Sequence, residues 1–210
     1  MTIHLLIVGA GAFGREVAAY AADLGPEIQV TGFLDDTIPE ATRVDGLPVR
    51  GTIAGYQPHD AERLILGIGD AAARVSLAAD LTARGAKFAS VVHSLAWVAP
   101  DAVIGNGVLV APFATIGPGA QIGDHGLINT HVGVGHDCRI GRGAVLCPHA
   151  CLNGNVVCGQ GVFVGSGAVV TPTCQLADHC QVAAGAVVYT AVPEGHLATG
   201  NPARARRVAR

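Results

Sequence analysis

From Trp97 to Val192 the chain keeps a period of six. The second position of each hexad is Val, Ile or Leu in fifteen of sixteen repeats, with Cys158 the exception, and the sixth is always Ala, Gly, Val or Cys. One large apolar residue and one small residue per hexad suit a prism of short parallel strands, in which each hexad forms one face and three close a coil. The large residue points inward and the small one fits a tight corner, so sixteen hexads predict a little over five coils stacked on one axial core. Collagen is excluded because Gly does not recur at every third residue, and an alternating sandwich would not hold a period of six. Cys138, Cys174 and Cys180 occupy the small sixth position, which makes them packing residues rather than nucleophiles.

Residues 1–90 carry a different pattern. An apolar strand from Ile3 to Val8 leads into a glycine turn and an Ala-rich helix to about Leu24. A second strand follows at Ile28–Leu34, a third at Arg63–Ile68, and a helix runs to about Arg84. The turn reads Gly9-Ala10-Gly11-Ala12-Phe13-Gly14, a G-x-G-x-x-G between strand and helix, and Asp35-Asp36 close the second strand. Such glycines let a phosphate approach the unpaired N–H groups of a helix start. About 90 residues supply only half of the doubly wound fold that holds a dinucleotide, so a mononucleotide or nucleotide-sugar fits better. A turn that merely packs helix on strand is the competing reading. The fold class is therefore an α/β Rossmann-like domain over residues 1–90, followed by an all-β parallel β-helix with a C-terminal tail over residues 91–210.

A formal net charge of −3 gives no basic field for nucleic acid, and Arg204, Arg206, Arg207 and Arg210 read as a local tail feature. Gly, Asp or Pro interrupts every apolar run before the roughly 20 residues a membrane helix needs. The apolar opening lacks a basic n-region and a cleavage pattern, so it reads as a buried strand and not a secretory leader. Six cysteines without C-x-x-C spacing read as free thiols of the cytoplasm, and no metal site is expected.

Four of the five histidines in the repeat, His125, His131, His149 and His179, share the fifth hexad position, and shared phase predicts shared exposure at solvated corners. His136 stands apart at the fourth position, directly before Asp137. An imidazole accepts a proton near neutrality, and an adjacent carboxylate stabilises the resulting cation, so this pair is the candidate general base.

The motifs IVGAGAFGREV at the start, FLDD at Phe33–Asp36, LGIGDAAAR at Leu66–Arg74, LINTHVGVGHDCRIG at Leu127–Gly141, LNGNV at Leu152–Val156 and GNPAR at Gly200–Arg204 span nearly the whole chain. Together they resemble the bacterial sugar O- and N-acetyltransferases that modify sialic acid, bacillosamine and perosamine precursors. The resemblance implies left-handed coils and a homotrimer. It also implies acetyl-CoA in the groove between neighbouring β-helices, lined by Ser166 and Ala184, and a nucleotide-linked amino sugar held by Gly11, Phe13, Asp35, Asp36 and Gly69. His136 takes the family's base position, with Asp137 raising its basicity, for direct attack on the thioester without an acyl-enzyme. Two departures stand out: Phe13 occupies the place of a histidine that often lies near the substrate phosphates, and Val145 aligns with a second histidine beside the acetyl group in some members.

N-acetylation of a nucleotide-linked amino sugar is thus the leading expectation. O-acetylation of a free sugar such as sialic acid, a non-catalytic nucleotide-sugar sensor and a zinc enzyme similar to γ-type carbonic anhydrases remain open. The last rests on the five-residue spacing of His131 and His136. That family's third ligand would fall at Leu95, with His93 nearby.

Overall fold

The computed structural model describes residues 2–207, so Arg210 lies outside the described residues. The N-terminal elements are β1 (Ile3–Val8), α1 (Ala12–Ala22), β2 (Ile28–Leu34), β3 (Arg43–Val44), β4 (Leu47–Pro48), β5 (Glu62–Leu66) and α2 (Ala71–Ala83). Strands β2, β1 and β5 form a parallel sheet in that order, and β3 and β4 form a small hairpin absent from the sequence expectation. Alternation along β1 divides the core. Leu5 and Ile7 pack with Val17, Ala18 and Ala21 of α1, whereas Leu6 and Val8 pack with Ala78 and Leu81 of α2.

The repeat folds as the period predicts. Every hexad from Trp97 contributes a two-residue strand at its first and second positions, and strands eighteen residues apart pair in parallel. Face 1 carries the strands starting at Trp97, Thr115, Gly133, Cys151, Val169 and Val187. Face 2 carries those starting at Val103, Gln121, Arg139, Val157 and Gln175. Face 3 carries those starting at Val91, Leu109, Leu127, Val145, Phe163 and Gln181. Second- and sixth-position side chains from Val108 to Val188 fill the axis, including Cys138, Cys158, Cys174 and Cys180. Each coil buries what an isolated coil would expose.

The coils extend beyond the repeat at both ends. Val91–Val92 pairs with Leu109–Val110, one hexad earlier than the first regular repeat. At the other end Val192 is not a corner residue: it bridges Leu176, so the last turn closes two residues early. His196–Thr199 then completes face 3 beside Gln181–Val182 and pairs antiparallel with Arg204–Arg207, where Arg204, Arg206 and Arg207 are exposed.

Fourteen of the sixteen fifth positions have positive φ, which six of them meet with Gly and eight with residues such as Asn155, Asp137 or His. That shared conformation does not produce shared exposure. His131 and His149 are exposed and His179 is half-buried, but His125 is only 4 % exposed, correcting the expectation that all four are solvated.

The reason is domain docking. On face 3 the outward first positions Leu109, Leu127 and Val145 are buried against the Ile7, Val17 and Phe33 cluster, whereas on face 2 Val103 is 59 % exposed. Each buried aliphatic side chain contributes about 1.5–3 kcal/mol. Helix α2 lies along the edge between faces 2 and 3, where a β-carbon on Gly143 would sit 2.6 Å from Val75 Cγ2. The ring of Phe88 meets that of His125 edge-on at 4.5 Å. Arg74 locks this junction. Fully buried, it donates from Nη1 to the carbonyls of Leu66 (3.0 Å) and Ile68 (2.7 Å), and from Nε and Nη2 to His125 O (3.1 and 2.8 Å). Burial pulls the guanidinium down to about 9, so it remains a cation at neutral pH with carbonyl dipoles as its partners.

Candidate active site

The glycine turn is built by packing. Gly9 has φ +99°, and a β-carbon there would lie 2.6 Å from Ile68 Cδ1. One on Gly14 would overlap the Gly9 carbonyl oxygen, and one on Gly67 would lie 2.7 Å from Gly14 Cα. Gly11 is different: it is exposed, precedes α1 without a side-chain cap, and has open space around its would-be β-carbon. Its backbone needs no glycine and its surroundings leave room for a ligand at the unpaired helix start.

Gly11, Asp35 and Gly69 gather at the carboxyl ends of β1, β2 and β5, the crevice where open α/β sheets bind ligands. Asp35 Oδ2 accepts from Ala10 N–H at 2.8 Å, and Oδ1 accepts from the Thr37 hydroxyl and the Thr37 and Ile38 N–H groups. Burial works to raise this carboxyl, but the donated hydrogen bonds outweigh it and hold the group below its ordinary value. Asp36 Oδ1 accepts from Ile53 and Ala54 N–H. Both carboxylates therefore brace the loops around the crevice. Phe13 is half-buried against the interdomain cluster, while Gly69 is exposed and open just before Asp70, whose Oδ1 caps α2 through Ala73 N–H. A cleft of about 590 Å³ lined by Leu34, Arg50, Gly51, Tyr56 and Glu62 contains none of the predicted site residues.

His136 and Asp137 lie on the edge between faces 1 and 2, across the prism from the docked domain. His136 Nδ1 is 2.8 Å from Asp137 Oδ2, and both side chains are well exposed. With Nδ1–H donating to the carboxylate, Nε2 keeps its lone pair. The ring lies over Gly154, one coil on: a β-carbon there would fall 2.5 Å from Cε1 and closer still to Nε2. Likewise the Asp137 carboxylate covers Gly119. The sequence contains this signal, because the fourth-position column of this edge reads Pro100, Pro118, His136, Gly154, Pro172, Thr190.

Ser166 and Ala184 are exposed on the edge between faces 3 and 1, one coil apart, with Gly185 N–H donating to Ser166 O. A single chain therefore brings together the crevice residues as one group, His136 with Asp137 as a second, and Ser166 with Ala184 as a third. Val145 is buried under the docked domain. His131 and His136 lie on different edges and His93 is buried beside Asp23 and Tyr20. Among the described residues of one chain no three His, Cys, Asp or Glu side chains converge.

A left-handed β-helix with an exposed imidazole–carboxylate pair on one edge and a nucleotide-type α/β domain on the opposite face defines a hexapeptide-repeat transferase. Residues 4–81 match the PglD N-terminal domain family. The acetyltransferase domain of PglB from Neisseria gonorrhoeae FA1090 is 31 % identical, with 97 % of this chain and 99 % of that chain covered at a TM-score of 0.89. PerB from Caulobacter crescentus, solved in complex with CoA and GDP-perosamine, is 30 % identical over 97 % of each chain with a TM-score of 0.88. WeeI from Acinetobacter baumannii AYE is 28 % identical over 98 % of this chain and all of that one, with a TM-score of 0.89. No curated protein sequence matches the chain. The chain belongs to the sugar acetyltransferases that join a PglD N-terminal domain to a left-handed β-helix.

Proposed function

We propose that the protein transfers the acetyl group of acetyl-CoA to the amine of a nucleotide-linked amino sugar, with His136 as general base and Asp137 as its orienting partner. The 2.8 Å contact between His136 Nδ1 and Asp137 Oδ2 carries this reading, because it fixes the tautomer that leaves Nε2 as proton acceptor. The amine nitrogen attacks the thioester carbonyl carbon, its proton passes to Nε2, and the C–S bond breaks to release the CoA thiolate, which takes up that proton. The Asp137 carboxylate stabilises the imidazolium in between. No covalent acyl-enzyme is required. The solved PerB complex, with CoA and GDP-perosamine bound, supports both substrates by similarity.

The nucleotide-sugar occupies the crevice at Gly11 and Gly69, with its phosphates at the α1 start and Phe13 beside them. Asp35 and Asp36 hold the loops that frame it. This crevice lies on the face 3 side and His136 on the opposite edge, so one chain does not complete the site. A homotrimer does: face 1 packs around a threefold axis, and the edge carrying Ser166 and Ala184 meets the neighbour's edge carrying His136. Face 1 suits that role. Its outward first positions are Trp97, Thr115, Gly133, Cys151, Val169 and Val187, without a charge, and Trp97 and Tyr189 are 55 % and 56 % exposed. All six cysteines are free, in keeping with a cytoplasmic enzyme. Among the described residues no helix is long and apolar enough to cross a membrane.

Mass spectrometry of the protein incubated with acetyl-CoA and a panel of nucleotide-linked amino sugars, their hydroxyl counterparts and free sialic acid tests the reading. One amino sugar should gain a single acetyl group. Acetylation of the hydroxyl sugars alone would move the assignment to O-acetyl transfer, and binding without turnover would make the protein a sensor.

A further inference from the structure

His131 is not used by the mechanism, yet its placement is tightly built. It sits on the edge between faces 3 and 1, at φ +57°, a conformation that Gly167 and Gly185 supply higher on the same edge. Its ring lies between those of Phe113, at 4.9 Å and 17°, and His149, at 4.7 Å and 3°. Three planar rings on consecutive coils thus form an exposed ladder, and stacking on both sides fixes the plane of the middle one.

His131 and His136 flank the same face 1 strand, Gly133–Val134, one at each edge. In one chain the width of face 1 separates them. In the trimer proposed above the separation disappears, because rotation about an axis parallel to the coils leaves height unchanged. The two residues are five apart in an eighteen-residue coil rising about 4.8 Å, so they differ in height by about 1 Å. Hydrogen-bonding capacity agrees with that pairing, since an imidazole N–H can donate to a carboxylate. The ladder edge presents His131 and His149, and the edge it meets presents Asp101 and Asp137.

We infer that His131 of each subunit stands beside His136 of its neighbour and contacts the acceptor sugar, as a second imidazole of a site that two chains complete. The inference rests on the proposed trimer and goes beyond it by naming the residue that the second chain brings. A neutral imidazole both donates and accepts, which suits the hydroxyls flanking the acylated amine of a sugar. Its task is orientation of the acceptor, and proton removal stays with His136.

Two measurements test this separately from the trimer. The first is mild oxidation of the double variant His131→Cys/His136→Cys, followed by non-reducing electrophoresis. The single variants serve as controls because Cys151 lies on face 1 in all of them. Covalent dimers and trimers specific to the double variant are expected. A protein that sediments as a trimer but never cross-links overturns the inference and leaves the trimer standing. One that sediments as a monomer overturns both.

The second is steady-state kinetics of His131→Asn, a substitution compatible with positive φ. The acceptor kcat/KM should fall about tenfold or more, with the acetyl-CoA KM and the melting temperature unchanged. Unaltered acceptor kinetics would refute the assigned role, as would an equal loss for both substrates accompanied by a lower melting temperature.

Discussion

The imidazole of His136 rests on the α-carbon of Gly154, eighteen residues later and one coil further along the prism. The base is thus positioned by the absence of a side chain as much as by its bond to Asp137.

Gly154→Ala should therefore leave the fold intact and disable catalysis. Gly154 does not have positive φ, so alanine is tolerated by its backbone, but the new methyl occupies the place of the ring. Acetyl transfer should drop by about a hundredfold or more with an unchanged melting curve, since a misplaced base costs nearly as much as a missing one. Activity within a few fold of wild type would show that the ring works from another position.

The two kinds of glycine in the turn should separate in experiment. Gly14→Ala drives a methyl into the Gly9 carbonyl and should lower the melting temperature strongly, whereas Gly11→Ala meets open space at a permissible backbone conformation. The Gly11 variant should melt like wild type and raise the KM for the nucleotide-sugar about tenfold by crowding the phosphate approach. Thermal melts and steady-state kinetics on both variants read the difference.

Arg74→Ala should be among the most damaging single changes. It removes four hydrogen bonds, leaves the carbonyls of Leu66, Ile68 and His125 without a donor, and opens a cavity at the domain junction. A loss of about 3–5 kcal/mol follows, measured as a shift of the denaturation midpoint. Arg74→Lys keeps the charge without the fork and should recover only part of it.

Stability should also fall on mild acidification. His125 is pushed down to about 4 by burial, reinforced by the nearby Arg142 cation, and its Nδ1 has no hydrogen-bond partner. Above about pH 6.5 the folded and unfolded states are both neutral at this site, and the full stability is present. As pH drops toward 4 the unfolded chain gains a proton that the folded chain refuses, costing up to about 1.4 kcal/mol per pH unit. Asp35, held below its ordinary value, acts in the same direction but only below the normal carboxylate range. His125→Asn should flatten the slope between pH 6.5 and 4 in denaturant titrations, and an unchanged slope would place its origin elsewhere.

Much of this architecture was legible in the sequence because the period of six is a direct consequence of prism geometry. The β1–α1–β2 unit followed equally from glycine punctuation between apolar runs. The docking face was also encoded, at a longer period. Read every eighteenth residue, the outward positions of face 3 run Leu109, Leu127, Val145, Phe163, whereas face 2 runs Val103, Gln121, Arg139, Val157. Hexads taken singly hide that stripe, so the burial of His125 and Val145 was missed. Arg74 was also missed, since a buried arginine bonded only to carbonyls leaves no charge partner in the sequence to betray it. The early closure at Val192 escaped because Ala191 and Val192 satisfy the hexad rule in either register.

Kinetics of His136→Gln with the nucleotide-linked amino sugar, alongside calorimetric binding of the same sugar, tests whether His136 is the general base. The kcat should fall by about 10²–10⁴ while the affinity for the sugar stays within about twofold. A kcat within tenfold of wild type would remove His136 from the role of general base.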